Sequence, residues 1–338
     1  MRRKIRTTGI VGTGVIGAGW AARFLARGLQ VVASDPAPEA EQLLRQKVDN
    51  ARPALSRLGL ETEDMQQRLA FTLDLSELGA RADFIQECAP ENEDLKRRLH
   101  AQLDAEAPVD VIIASSSSGL LPSRIQLDCA HPERMVIGHP FNPVYLLPLV
   151  EVLGGEKSGV EFIDEAMAFY RSLGMHALRV RTEIPGYISD RLQEALWREA
   201  LHMVAEGVAT TGEIDDAIVY GPGLRWAFMG TCLTFHLAGG DVGMRHMLEQ
   251  FGPALKLPWT KLQAPELTDE LIDRMVKGTH AQAGGQPVRK LEQLRDNCLI
   301  AIMQALAEYD YASGRTLAED RTLRKNTTSS GAITDDRC

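Results

Sequence analysis

The sequence predicts an α/β chain in which a mostly parallel sheet with helices on both faces is followed by an all-helical C-terminal domain. Three observations carry this expectation. The first half of the 338 residues alternates short β-branched runs with amphipathic stretches, the pattern of βαβ units. A glycine-rich turn, Gly12-Thr13-Gly14-Val15-Ile16-Gly17, directly follows the first such run. After Pro185-Gly186 the texture changes. From Tyr187 to about Ala312 apolar residues recur at helical spacing, with Gly and Pro punctuation near 207, 212, 221–223, 239–240 and 252–253. The expected domains are therefore 1–185 and 186–323. The tail 324–338, rich in small polar residues, is expected to be disordered.

Taken in order, Thr8 to Val11 reads as the first strand and Val15 to Arg27 as a helix capped by Gly28. Gln30 to Ser34 is the second strand, and Glu39 to Leu58 is a long charged helix closed by Gly59. Asp83 to Gln86, Asp110 to Ser115 and Arg134 to Gly138 read as further strands, with the helix Glu93 to Leu103 between the first two. Leu149 to Leu153 and Ala177 to Val180 are strands flanking the helix Val160 to Leu173.

Composition excludes several classes of partner. With 37 basic against 46 acidic residues the net charge is −9, which disfavours nucleic acid or an anionic membrane. The cluster Arg2, Arg3, Lys4 and Arg6 reads as a solvated arm. No apolar run reaches the roughly 18 residues of a membrane span, and no secretory leader is expected. Five scattered cysteines without a C-x-x-C pair exclude a disulfide scaffold and a cysteine zinc site, and fit a reducing cytoplasm. The eight histidines form neither H-x-x-x-H nor H-E-x-x-H, so no metal is expected.

The glycine turn is G-x-G-x-x-G between a strand and a helix, and each part has a physical task. Gly12 permits the tight turn, Gly14 lets the backbone approach a pyrophosphate, and Gly17 allows close helix–strand packing. The helix opening at Val15 turns its positive end toward the phosphates. Asp35, 18 residues past Gly17, is placed to accept from a ribose 2′-hydroxyl and to repel a 2′-phosphate. Neither Ser34 nor Pro36 offers a cation. The first domain is therefore expected to be a Rossmann-type unit that binds NAD, not NADP, through Gly12, Thr13, Gly14, Val15, Ile16, Gly17 and Asp35.

Two segments place polar residues where strand ends should meet a nicotinamide. Ser115-Ser116-Ser117-Ser118-Gly119 follows a buried strand, at the crevice where open α/β sheets bind ligands. Gly138-His139-Pro140-Phe141-Asn142-Pro143 is followed twelve residues after His139 by Glu151, inside the apolar run Leu146 to Leu153. A buried carboxylate needs a partner, and an imidazole suits it. Oxidation of an alcohol needs a base that takes the hydroxyl proton as hydride leaves, which a carboxylate-oriented His supplies near neutral pH.

At these residues the chain resembles the 3-hydroxyacyl-CoA dehydrogenase family. The likeness rests on Gly12 to Gly17, Ser118, His139 to Pro143, Val150-Glu151-Val152 and Pro185-Gly186-Tyr187-Ile188-Ser189-Asp190-Arg191-Leu192, and it runs in order over about residues 5 to 315. It implies His139 as base, Glu151 as its orienting partner and Ser118 at the reacting oxygen. Glu91 and Lys96 would lie beside the cofactor ribose and nicotinamide, and the helical domain would form a homodimer. Two positions depart from the family pattern: Asp190 stands for its usual Asn, and Pro148 for a Lys common in enzymes acting on CoA thioesters.

The segments Tyr145 to Glu151, Ala195 to His202, Gly207 to Ala217 and Leu224 to Gly240 are similar to branches of that family acting on free hydroxy acids. This implies L-carnitine as substrate, oxidised at its 3-hydroxyl. Its carboxylate asks for a fork such as Arg225. Its trimethylammonium asks for an aromatic face, for which Trp197, Trp226, Phe141 and Tyr145 are the candidates, although aromatics in a helical domain also serve as core. Trp226 and Arg225 reach one ligand only if their segment is partly non-helical. Asp190 completes the expected substrate-side set. A sugar acid such as L-gulonate, a short 3-hydroxyacyl-CoA, and a non-catalytic crystallin-like role stand as alternatives. The stripe Leu192, Leu196, Ala200 and Met203 fits a dimer interface or an internal core equally.

Overall fold

The computed structural model describes residues 4–331 apart from 240, 242, 243, 252, 254–256, 259, 262–265 and 267. The expected breaks at Gly240 and Gly252 and the last part of the tail, 332–338, lie outside the described residues. The chain divides into two compact units. One runs to Ile188 and resumes at Thr316; the other is Ser189–Arg315.

The first unit is built on an eight-stranded sheet. Its strands are β1 (Thr7–Val11), β2 (Gln30–Ser34), β3 (Leu69–Phe71), β4 (Phe84–Glu87), β5 (Ile112–Ser115), β6 (Met135–Pro140), β7 (Leu149–Leu153) and β8 (His176–Arg179), in the order β3-β2-β1-β4-β5-β6-β7-β8. Every neighbouring pair is parallel except β6 with β7. The order reverses between β1 and β4, and the crevice beyond their carboxyl ends is the general ligand position of such sheets. The helices are α1 (Val15–Ala26), α2 (Ala40–Arg57), α3 (Leu75–Arg81), α4 (Glu93–Glu106), α5 (Pro122–Ile125) and α6 (Val160–Ser172).

Both faces of the sheet are covered, which is why its strands read as near-continuous apolar runs. On one face the rings of Trp20 and Phe24 from α1 meet Phe84, Phe169 and Tyr170, with centroids 4.4–5.8 Å apart. On the other, Ile85 and Ile113 pack with Leu78, Leu103 and Ile125. Side chains alternate along a strand, so Phe84 and Ile85 serve opposite layers.

Three elements escaped the sequence reading. β3 has only three residues, α5 only four, and α3 ends at Ala82 without a glycine stop. Strand β6 is longer than expected and carries His139 and Pro140 within it.

The second unit contains α7 (Ser189–Ala205), α8 (Thr211–Val219), α9 (Pro222–Trp226), α10 (Thr231–Ala238), α11 (Met244–Phe251), α12 (Asp269–Ala283), α13 (Val288–Glu308) and the start of α14 (Ala312–Gly331). Helix α8 opens with a capping box between Thr210 and Glu213. At Gly278 on α12 a Cβ would lie 2.3 Å from the Thr211 hydroxyl, so the missing side chain permits that close helix contact.

Helix α14 changes the expected tail, because 324–331 continue its helical backbone. Its later residues belong to the first unit, where Asp320 pairs with Arg27, which caps the end of α1, and with Arg324. A Cβ on Gly174 would come within 2.6 Å of the Asp320 carboxylate. No described helix is long and apolar enough to cross a membrane.

Candidate active site

Three strand ends and the middle of β6 stand in one row. Val11 pairs with Glu87, Glu87 with Ser115, and Ser115 with Ile137. The residues that follow therefore gather along one carboxyl edge: Gly12 after β1, Cys88 after β4, the serine turn after β5, and His139 two positions further along β6.

The turn after β1 is shaped by its glycines. Gly12 has φ +91°, and a Cβ there would sit 2.7 Å from the Cys88 carbonyl. A Cβ at Gly17 would lie 1.9 Å from the Gly12 oxygen. Packing of the chain itself demands both. Gly14 differs, since a Cβ there would meet nothing of this chain within 4 Å, and its bareness suits backbone approach to a pyrophosphate.

Asp35 accepts from the Thr13 amide at 2.7 Å, the Thr13 hydroxyl at 3.1 Å and the Ala37 amide at 2.9 Å. Burial alone would raise its pKa. The bonds from Thr13 and Ala37, with the charge of Lys47, outweigh burial and hold the carboxyl below its ordinary value. It stays ionised with acceptor capacity for a ribose hydroxyl. The Lys47 ammonium donates to the Thr13 carbonyl at 3.3 Å. Val15 and Ile16 form the exposed and half-buried start of α1. Donors, glycines and acid together fit a dinucleotide.

Three of the four serines after β5 have structural tasks. Ser115 donates to Glu87 at 2.6 Å; Ser116 accepts from Trp20 Nε1 at 3.1 Å and Gln86 Nε2 at 2.8 Å; Ser117 donates to Glu91 at 2.5 Å. Ser118 is exposed, and its hydroxyl bonds to no described residue. Glu91 fixes this turn by also accepting from the amides of Ser118 and Gly119, at 3.0 and 3.1 Å.

Lys96 is more enclosed than expected. It is buried, with its ammonium 2.7 Å from Glu87, 3.0 Å from the Ala89 carbonyl and 3.7 Å from Glu91. Sequence reasoning missed Glu87, whose signal was a polar pair, Gln86-Glu87, closing an apolar strand. Burial would raise the Glu87 pKa, but the His100 hydrogen bond and the Lys96 charge reverse this and bring it down to about 2.

His139 and Glu151 stand directly opposite in the antiparallel pair β6–β7. Nδ1 lies 3.1 Å from Oε2, with the imidazole 6% and the carboxylate 0% exposed. An accepting carboxylate places the proton on Nδ1 and leaves Nε2 as a proton acceptor. Glu151 Oε1 accepts from the Ile188 amide at 3.1 Å. Phe141 and Tyr187 meet the imidazole edge-on, at 5.6 and 5.7 Å between centroids. Tyr145 is half-buried in the turn that follows.

The remaining expected residues belong to the helical unit. Asp190 and Trp197 are on α7, and Arg225 and Trp226 are on α9. The irregular backbone invoked for the last two is not found. Both lie within α9, so their side chains diverge by about 100°. Arg225 is exposed, as are Trp197 and Trp226. Among the described residues no group of three or more His, Cys, Asp or Glu forms a metal site.

A dinucleotide turn joined along one strand edge to a carboxylate-braced imidazole defines an NAD-binding dehydrogenase of hydroxy compounds. The chain belongs to the 3-hydroxyacyl-CoA dehydrogenase family, matching its NAD binding domain over residues 7–184 and its C-terminal domain over 186–286. It is 59% identical to an L-carnitine dehydrogenase of a Pseudomonas species, over 93% of this chain and 98% of that one. To an L-carnitine dehydrogenase of Bacillus cereus it is 56% identical, over 91% and 94%.

Among solved structures it is similar to 5-formyl-3-hydroxy-2-methylpyridine 4-carboxylic acid 5-dehydrogenase, an NAD+ dependent dismutase. There the TM-score is 0.75 at 28% identity, over 90% of this chain and 99% of that chain. For (S)-3-hydroxybutyryl-CoA dehydrogenase from Ralstonia eutropha the TM-score is 0.59 at 26% identity, covering 83% and 95%.

Proposed function

We propose that the protein oxidises the 3-hydroxyl of L-carnitine to the ketone of 3-dehydrocarnitine. The observation that carries the chemistry is the His139 Nδ1 to Glu151 Oε2 contact of 3.1 Å on the strand edge shared with the glycine turn. The substrate rests on the 56–59% identity to L-carnitine dehydrogenases.

His139 Nε2 takes the hydroxyl proton, and Glu151 orients the ring and stabilises the resulting imidazolium. Ser118, whose hydroxyl bonds to no described residue, donates to the developing ketone oxygen. NAD, when bound, accepts the hydride from carbon 3. Gly12 to Gly17 and Asp35 would hold its pyrophosphate and ribose, with Glu91 and Lys96 beside the ribose and nicotinamide. Arg225 presents a fork to the substrate carboxylate; because helix α9 turns Trp226 away from Arg225, at least one of Trp197, Phe141 and Tyr145 faces the trimethylammonium. Asp190 completes the substrate-side set.

In this reading residues 1–185 bind NAD, and 186–323 bind substrate and dimerise. The partner is a second copy of the chain. Leu192 and Leu196 on α7 are 64% and 48% exposed, and an apolar stripe so open in one copy suits an interface. Cys88, Cys129, Cys232 and Cys298 are free thiols, which suits a reducing cytoplasm.

The test is NAD reduction with L-carnitine, L-gulonate and 3-hydroxybutyryl-CoA side by side. L-Carnitine should lead in kcat/KM by about two orders of magnitude. A preference for either of the others overturns the substrate assignment, and inactivity with all three overturns the enzyme.

A further inference from the structure

Tyr187 has a backbone that a bulky side chain rarely adopts. Its φ is +44°, directly after Gly186 at +72°. Glycine tolerates this region; tyrosine is strained in it. Strain of this kind persists where the surroundings over-determine a residue, and it gathers at functional sites.

The surroundings here are specific. The double reversal turns the Tyr187 ring fully inward, at 0% exposure. Its hydroxyl donates to the Leu120 carbonyl at 2.7 Å, just beyond the serine turn. Its ring meets the His139 imidazole at 5.7 Å and 61°, while Phe141 meets the same imidazole at 5.6 Å and 62°. On one side of Tyr187 the Gly186 amide donates to the Gly119 carbonyl at 3.4 Å; on the other the Ile188 amide donates to Glu151 at 3.1 Å. Three consecutive residues thus touch the serine turn, the imidazole and its carboxylate.

We propose that Tyr187 is a positioning residue for the oxidation. Its ring, with that of Phe141, confines the plane of His139, and its hydroxyl sets the serine turn, and with it Ser118, relative to Nε2. The proposal rests on the reading of His139 as base. The two parts separate chemically: the ring acts on the imidazole and the hydroxyl on the turn.

The experiment compares Tyr187→Phe, Tyr187→Leu and His139→Ala, measuring kcat and KM for L-carnitine, Kd for NAD by calorimetry, and thermal midpoint. Tyr187→Leu should lose about 10²-fold in kcat, with KM and Kd for NAD within about threefold of the parent. Tyr187→Phe, which keeps the ring, should recover most of that loss. If Tyr187→Leu is too unstable to purify, Tyr187→Met carries the same expectation. A purely structural residue would lower the midpoint and leave kcat per folded enzyme unchanged, and that result overturns the proposal. A Tyr187→Phe enzyme as slow as Tyr187→Leu overturns the ring's part, because the hydroxyl would then carry the whole effect. An inactive His139→Ala beside an unimpaired Tyr187→Leu leaves the base in place and removes only the positioning role. An active His139→Ala removes both.

Discussion

Glu151 divides its two oxygens between His139, 3.1 Å from Oε2, and the backbone amide of Ile188, 3.1 Å from Oε1. One carboxylate therefore orients the imidazole and ties down Ile188, where the chain leaves the first unit. Substitution at His139 removes the base alone. We expect His139→Ala to lose about 10²–10⁴-fold in kcat with Kd for NAD within a few-fold, measured by steady-state kinetics and calorimetry.

Glu151→Gln should cost less, about ten- to a hundredfold. Its single amide oxygen can accept from His139 or from Ile188 but not from both, and the NH2 group then faces an N–H donor. Turnover and thermal midpoint should fall together. Unchanged turnover would show that the imidazole needs no brace.

Asp35→Ala should weaken NAD binding by about ten- to a hundredfold, the effect of losing a hydrogen bond to a charged group. Removing the negative charge also lifts repulsion of a 2′-phosphate, so the ratio of the two Kd values should move toward NADP. The Lys47 ammonium, donating to the Thr13 carbonyl, would remain as the nearest cation. Titration of both cofactors against both proteins checks this; an unaltered ratio contradicts the role of Asp35.

Glu87 predicts an acid dependence of stability. Its pKa falls from 4.5 to about 2 on folding, so its contribution is complete above the unfolded value. That contribution is lost as pH drops from 4.5 toward 2. The shift corresponds to about 3 kcal/mol. Glu87→Gln should remove this acid slope and also destabilise at neutral pH, because it leaves the buried Lys96 ammonium without its carboxylate. Urea unfolding at pH 7 and at pH 3 measures both effects, and an acid slope in the variant as steep as the parent's contradicts the assignment.

The nucleotide turn, its acid and the His139–Glu151 pair were legible in the sequence because their signals are local. Glycines marked backbone that a Cβ would obstruct, and a carboxylate inside an apolar run required a partner. Residues whose meaning is long-range were not legible. Nothing near Tyr187 in the chain announces Leu120 or His139, and Lys96, expected beside the cofactor, gave no sign of the buried Glu87 carboxylate 2.7 Å from its ammonium. The pairing of Asp320 with Arg27 joins positions 293 apart, beyond any periodicity. The backbone at Arg225 and Trp226 was open for a different reason. Gly221-Pro222-Gly223 suggested irregular backbone, but a proline at the first helical position favours a helix start, and α9 begins there.

Asp320→Ala should destabilise the first unit by about 3–5 kcal/mol, the range for removing one partner of a buried ion pair. Arg27 and Arg324 would face each other with no anion between them. Denaturant midpoints with and without NAD test this, and a loss below about 1 kcal/mol would mean that the pair is as dispensable as a surface one.

The return of α14 also bears on how this protein can be dissected. A fragment ending at Ile188 would carry the whole sheet yet discard Asp320, stranding a guanidinium at the end of α1. An autonomous nucleotide-binding piece instead calls for residues 316–331 to be rejoined to Ile188 by a linker, with the intervening helices excised as an insert.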